Sequence, residues 1–225
     1  MHLSATATAA ATSAPAQAEL FAQPHELPVP GFRYQTNFLS AEEELALVEI
    51  ISCLDLRQAQ YRQWRANRRT VSYGGKYDFT THELMPAEPI PEFLFALRAR
   101  IAAWSGIDES QYNCSFIAEY RTGTQLGWHR DIPHFESVVG VSLAGDARMR
   151  FRPYPPRVGA RRAAFAVDLA PRSIYAMQAE ARWDWQHAVS PTRALRYSIT
   201  FRTLAAGTTR LTQGHPFQRL ARDQV

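Results

Sequence analysis

From residue 114 onward the sequence is cut into seven short runs of β-type residues, at 114–120, 138–143, 148–152, 163–169, 173–178, 185–189 and 195–203, each bounded by turn-forming residues. β-Branched and aromatic side chains suit a pleated surface, and runs this short bury little unless many of them pair. Seven at such close spacing predict two sheets packed face to face, a β-sandwich or jelly roll. Two helical patterns precede them. Ser40 followed by Glu43 forms a capping box, and Leu45, Leu47, Val48, Ile51 and Leu54 recur behind it at helical spacing. A second helix is predicted over 91–104, with Phe93, Leu94, Leu97, Ile101 and Trp104 on one face and Gly106 as its stop. The expected fold is mainly β with flanking helices (α+β), the helices lying outside the sandwich.

At 225 residues and 46% hydrophobic content, the chain can bury one substantial core, and its size argues against two full domains. Residues 1–30 read as a disordered tail and a Pro-punctuated linker, 31–205 as a single domain, and 206–225 as a flexible basic tail. Within the domain, 114–204 is the expected core. Residues 61–85, rich in Arg, aromatics and Gly with a turn at Gly74-Gly75, read as one or two irregular hairpins. Lys and Arg number 25 against 21 Asp and Glu, a balance that suits a polyanionic partner. Nearly all of that positive charge is Arg, whose guanidinium forks onto phosphates and carboxylates. Cys53 and Cys114 cannot build a disulfide framework, and no apolar stretch approaches the ~20 residues needed to span a bilayer. The expectation is a cytoplasmic monomer without membrane association.

Gly127-Trp128-His129-Arg130-Asp131 contains H-x-D, and in an extended segment a two-residue period turns both side chains to one side. That is what two metal ligands need. A third is available from His187, in a run that reads as a core strand; His134 lies near the motif, and His2, His25, His82 and His215 fall in loops or tails. Two imidazoles and one carboxylate make the facial triad that binds iron(II) and leaves three positions free for a co-substrate and oxygen. The competing reading is an H-x-D that arises by chance and a buried His that is merely hydrogen-bonded.

Leu195-Arg196-Tyr197-Ser198-Ile199-Thr200-Phe201-Arg202 alternates strictly, with Leu, Tyr, Ile and Phe on one face and Arg, Ser, Thr and Arg on the other. It follows the His187 run after the short turn 190–193, so the two are expected to pair as a hairpin and share a cavity. Six residue steps of ~3.3 Å separate Arg196 from Arg202 by ~20 Å at Cα, and inward-leaning side chains leave about 8 Å between guanidinium groups. A five-carbon dicarboxylate such as 2-oxoglutarate is about that long.

Together these residues resemble the AlkB-like family of 2-oxoglutarate dioxygenases, with its H-x-D…H triad followed by R-x-N-x-T-x-R, over roughly residues 68–204. The resemblance implies a double-stranded β-helix (jelly roll) with N-terminal helices and a nucleotide-recognition lid over 61–85. It implies Fe(II) on His129, Asp131 and His187, and O2 as oxidant. The 2-oxoglutarate would be held by Tyr120, Arg196, Ser198 and Arg202. Arg69, Tyr77 and Phe79 match the lid pattern that grips a flipped base. The implied activity is oxidative dealkylation of bases in DNA, single-stranded or flipped out, or in RNA, with release of formaldehyde, succinate and CO2. Arg62, Arg65 and Arg68 beside Arg69 lie along the lid that would grip the nucleotide, and Arg148, Arg150, Arg152, Arg157, Arg161 and Arg162 would track phosphates beside the pocket, the alternative being a solvated basic hairpin. The chain departs from the pattern at Ala118 and Ser198, where the family often carries Asn, and at Pro133, where some members place an acidic residue. Two rival readings are the same chemistry on a protein or small molecule, and a non-catalytic nucleic-acid-binding relative.

Overall fold

The computed structural model describes residues 25–26, 29–61, 64–155 and 164–208; the expected tails, and Arg62, Arg157, Arg161 and Arg162, lie largely or wholly outside them. Early elements are β1 (His25–Glu26), β2 (Phe32–Gln35), α1 (Ala41–Ser52), β3 (Arg57–Tyr61), β4 (Trp64–Tyr73), β5 (Gly75–Asp78), β6 (Glu83–Pro86) and α2 (Phe95–Ser105). The remainder are β7 (Tyr112–Tyr120), β8 (Leu126–His129), β9 (Phe135–Leu143), β10 (Ala147–Pro153), β11 (Phe165–Leu169), β12 (Ile174–Met177), α3 (Ala179–Trp183), β13 (Trp185–Val189) and β14 (Arg196–Leu204). All seven expected runs became strands. An eighth, β8, carries the H-x-D histidine at its last residue, and Asp131 follows in the loop.

Local chemistry accounts for the helix ends. Ser40 Oγ accepts from the Glu43 amide at 3.1 Å while the Ser40 amide donates to the Glu43 carboxylate at 2.7 Å, so two otherwise orphaned N–H groups are satisfied. At the far end of α2, Gly106 takes φ of 77°, a left-handed cap that a β-carbon would strain.

The strands form an eight-stranded sheet in the order β1-β2-β12-β9-β14-β7-β4-β3 and a four-stranded sheet in the order β11-β10-β13-β8, with β5-β6 as a separate hairpin. One face of the large sheet, through Ile117, Val139, Val141, Leu143, Ile199 and Phe201, packs on Ile51 of α1 and Leu97 and Ile101 of α2. Its other face, through Ala118, Tyr120, Val138, Tyr175 and Met177, packs on Met149, Phe151, Val167, Leu169 and Val189 of the small sheet. This is the jelly roll with external helices.

One expectation fails here. β13 and β14 are not hairpin partners: β13 pairs with β10 and β8, whereas β14 pairs with β9 and β7. The turn at 190–193 carries the chain from one sheet to the other, since β14 finds two neighbours of matching length in the large sheet and β13 is already flanked on both sides. His187 and the arginine face of β14 therefore look at each other across the sandwich. Among the described residues no helix is long and apolar enough to cross a membrane.

Candidate active site

Adjacent strands of the small sheet bring the two histidines together, for His129 and His187 are register partners with ring centroids 4.1 Å apart. Asp131 completes the group. Ligand atoms of the three residues all lie within 4.8 Å of one another, and His187 Nε2 is 3.9 Å from Asp131 Oδ2. His129 Nδ1 sits 2.8 Å from the Gly127 carbonyl oxygen, which can only accept, so that nitrogen carries the proton and Nε2 keeps a free lone pair. Burial, reinforced by the neighbouring imidazole, pushes His187 down to about 3; burial likewise lowers His129. Both rings are thus neutral near pH 7, the form that coordinates a metal. Burial alone would raise the Asp131 carboxyl, but Arg202 first, and the imidazoles and Arg182 after it, hold it well below the usual range. Three close donors, deprotonated and partly shielded from water, fit one divalent ion of the kind a two-His, one-carboxylate set selects.

Across the sandwich, β14 turns its polar face inward. Arg196 is 1% exposed, Ser198 6% and Thr200 7%, where an ordinary sandwich strand would show such residues to water. Burying a guanidinium is costly unless its charge is answered. Arg196 Nε donates to Ser142 Oγ at 2.9 Å and its guanidinium lies 5.0 Å over the Tyr120 ring, yet among the described residues no carboxylate pairs with it. Arg202 is held between the rings of Phe116 and Phe135, with Nη2 3.8 Å from Asp131 Oδ1 and a buried Nε that has no partner. One arginine stands at the triad and the other at the far end of the same strand face, with Ser198 between them. An acid with two carboxylates fits this unanswered charge.

Two residues of the site, Tyr175 and Arg182, escaped the sequence reading, and a third, Arg68, was read only as one of the arginines along the lid. Tyr175, on β12, lies in register with Gly140 of β9, and a β-carbon at 140 would come within 2.3 Å of the phenol ring. The missing side chain lets the ring lie across the sheet toward Arg196 and Tyr120, and burial pushes its hydroxyl up to about 12. Arg182 of α3 is 2% exposed and donates from Nη2 to the Ile132 carbonyl at 2.5 Å, pinning the loop that carries Asp131. Arg68 lies 5.6 Å over the Phe116 ring with an unpartnered buried Nε. Gly140 facing an aromatic was the only local hint, and it needs the strand pairing to be read.

Arg69 is a correction. It forms a bidentate pair with Glu119, at 2.8 and 2.6 Å, joined by Arg121 at 3.0 Å. Arg69 and Glu119 are register partners, and Glu119 precedes the inward Tyr120, so alternation puts this cluster on the face away from the triad and Arg68 on the site face. Tyr77 and Phe79 do reach the site. Their rings meet edge to face at 4.9 Å, Tyr77 is 5.6 Å from the His134 ring, and both line a cavity of about 340 Å³ with His82, Arg130, Asp131, Pro133, Tyr154 and Gln186. A larger open depression of about 790 Å³ beside the start of α1 contains none of the triad, and in it Arg100 pairs with Glu43.

Comparison with known proteins agrees with this geometry. Residues 31–202 match the family described as the 2OG-Fe(II) oxygenase superfamily. The chain is 26% identical over 189 residues to the Alkylated DNA repair protein ALKBH8 homolog of Arabidopsis thaliana, covering 73% of this chain and 52% of that protein. It thus spans about half the length of that relative. It is 24% identical over 194 residues to the protein L905 of Acanthamoeba polyphaga mimivirus, covering 77% of this chain and 85% of that one. Among solved structures, OsALKBH1 superposes with a TM-score of 0.61 at 16% identity, covering 81% of this chain and 98% of that one. A Pseudomonas putida prolyl-4-hydroxylase superposes with a TM-score of 0.53 at 16% identity, covering 79% and 94%. At those identities the superpositions speak for the jelly-roll fold.

Proposed function

The chain belongs to the 2OG-Fe(II) oxygenase superfamily, and from that premise we propose that it is an AlkB-like dioxygenase removing alkyl groups oxidatively from nucleic-acid bases. The observation that carries the substrate reading is the cavity in which Asp131 of the triad shares walls with two aromatic rings from the β5-β6 hairpin. Paired rings offer a π face to a base taken out of its stack, and an alkylated, cationic base gains further from such a face.

His129, Asp131 and His187 would hold Fe(II). Bound there with 2-oxoglutarate and O2, it would supply oxidative decarboxylation, to succinate and CO2, coupled to hydroxylation of the alkyl carbon. An N-hydroxymethyl base then releases formaldehyde, its N–C bond breaking with the proton returned to the base nitrogen. Arg196, Tyr120 and Ser198 would receive the distal carboxylate of the co-substrate, with Tyr175 beside them. Arg202 would orient Asp131 and add positive charge at the keto-acid end, while Arg182 keeps the 131–133 loop in place. Ala118 and Ser198, which stand where the AlkB-like pattern often has Asn, would leave the charged contacts intact and remove amide ones.

The test is incubation with Fe(II), 2-oxoglutarate and a panel of methylated single-stranded DNA and RNA oligonucleotides, followed by assay of formaldehyde and restored bases. Base repair is expected, and His129→Ala should abolish both metal binding and repair. Succinate without base repair would move the reading to a protein or small-molecule substrate; a parent chain that binds no metal would leave only a nucleic-acid-binding relative.

A further inference from the structure

The outer face of the small sheet carries a strip of arginines and aromatic rings that ends at the cavity mouth. On β10, Met149 and Phe151 point into the core, so Arg148, Arg150 and Arg152 point out. His129 faces inward on β8 and its neighbour Trp128 faces outward, where the Arg150 and Arg152 guanidinium groups lie 5.1 and 4.4 Å from its ring. Ala188 occupies the β13 position opposite Arg150, and this small residue, fully buried, lets the indole and arginine stems meet over it. Arg152 Nε also donates to Gln186 Oε1 at 2.8 Å. Gln186 lines the cavity, as do Arg130 and Tyr154, whose guanidinium and ring are 3.9 Å apart. Arg130 is further anchored by donating from Nη1 to the Trp183 carbonyl at 2.8 Å.

Charge separates this strip from its surroundings. Arg148, on the same strand and face, is neutralised by Asp168 at 2.9 Å. Arg130, Arg150 and Arg152 take part in no ion pair among the described residues, and their guanidinium groups lie against the Tyr154 and Trp128 rings. Their presentation resembles a row of phosphate receptors, since alternate residues on a strand stand about 6.6 Å apart, close to the step between phosphates along an extended strand.

We infer that this strip, Arg130, Arg152 and Arg150 braced by Tyr154 and Trp128, is the path for the sugar-phosphate backbone of single-stranded nucleic acid flanking the base held in the cavity. This rests on the proposed nucleic-acid substrate and adds the direction in which the strand leaves the site. Each phosphate engaged on a single strand contributes a slope of about −0.7 to the dependence of log affinity on log salt.

The experiment measures binding of a methylated trinucleotide and a methylated nine-nucleotide single strand over a salt series. It compares the parent, Arg150→Ala with Arg152→Ala, and, as a charge-balanced control on the same face, Arg148→Ala with Asp168→Ala. The parent should bind the longer strand more tightly. The Arg150/Arg152 variant should lose about tenfold in affinity for the longer strand and about 1.4 from its salt slope, with trinucleotide binding and the thermal melt unchanged. The control should match the parent. A variant that keeps the full length advantage and slope overturns the strip alone; a parent that binds neither oligonucleotide overturns the nucleic-acid reading and the strip with it.

Discussion

Gly140 shows how much one absent side chain decides. The Tyr175 ring occupies the space a β-carbon would take, stacked at 6.4 Å on Phe32 and closed in by the sandwich, so it cannot swing clear cheaply. Gly140→Ala should destabilise the chain by about 1–3 kcal/mol through overpacking and weaken 2-oxoglutarate binding, because the phenol is driven from its place beside Arg196. Denaturant unfolding and titration of the co-substrate onto the metal-loaded protein would read both; unchanged stability would mean that the ring relaxes freely. The same scale explains Arg68 and Arg69. Adjacent on one strand, they face opposite sides of the sheet, and Arg69 met a carboxylate in its register partner while Arg68 did not.

Elements here are specified with different strictness. The first helix is marked by its own ends, and Ser40→Ala should cost about 1 kcal/mol by removing the side-chain acceptor of the Glu43 amide, seen as a lower denaturant midpoint with an unaltered slope. A slope change would point instead to loss of α1 as a unit. β14 is specified by alternation, and its central place between β9 and β7 buries both its faces. β4 was expected as part of an irregular hairpin region over 61–85, but it pairs with β3 and β7 in the large sheet, leaving β5 and β6 as the hairpin whose Tyr77 reaches the cavity. Period-two patterning is weak in β4, which is rich in arginine on both faces, so its place in the sheet was not visible locally.

For the molecule as a whole, the triad ties stability to pH. His187 releases its proton near pH 3 when folded and near 6.5 when exposed, so between those values the unfolded chain binds more protons. The metal-free chain should therefore keep its full stability above pH 6.5 and lose it as pH falls toward 3, on the order of 2 kcal/mol by pH 4.5. His129 acts in the same direction. Unfolding midpoints at pH 7 and 4.5 with the metal chelated would check this; equal values would show that His187 is freely protonated in the folded state. The whole molecule also concentrates positive charge at the site. Arg182 and Arg202 flank the Asp131 carboxylate and Arg196 stands at the far end of the same strand face, an excess that a dianionic co-substrate answers.

Sequence by itself determined the ligand types, the inward polar face of β14 and the strand-rich core, because H-x-D, two-residue alternation and turn residues act within a few positions of the chain. Tertiary structure alone decided which sheet each strand joined. That choice set His187 opposite the arginines across the sandwich, moved Arg69 off the site, and brought Tyr175 and Arg182 into it. Pairing partners are chosen by the burial and hydrogen bonding of segments distant in the chain, and no local pattern carries that information.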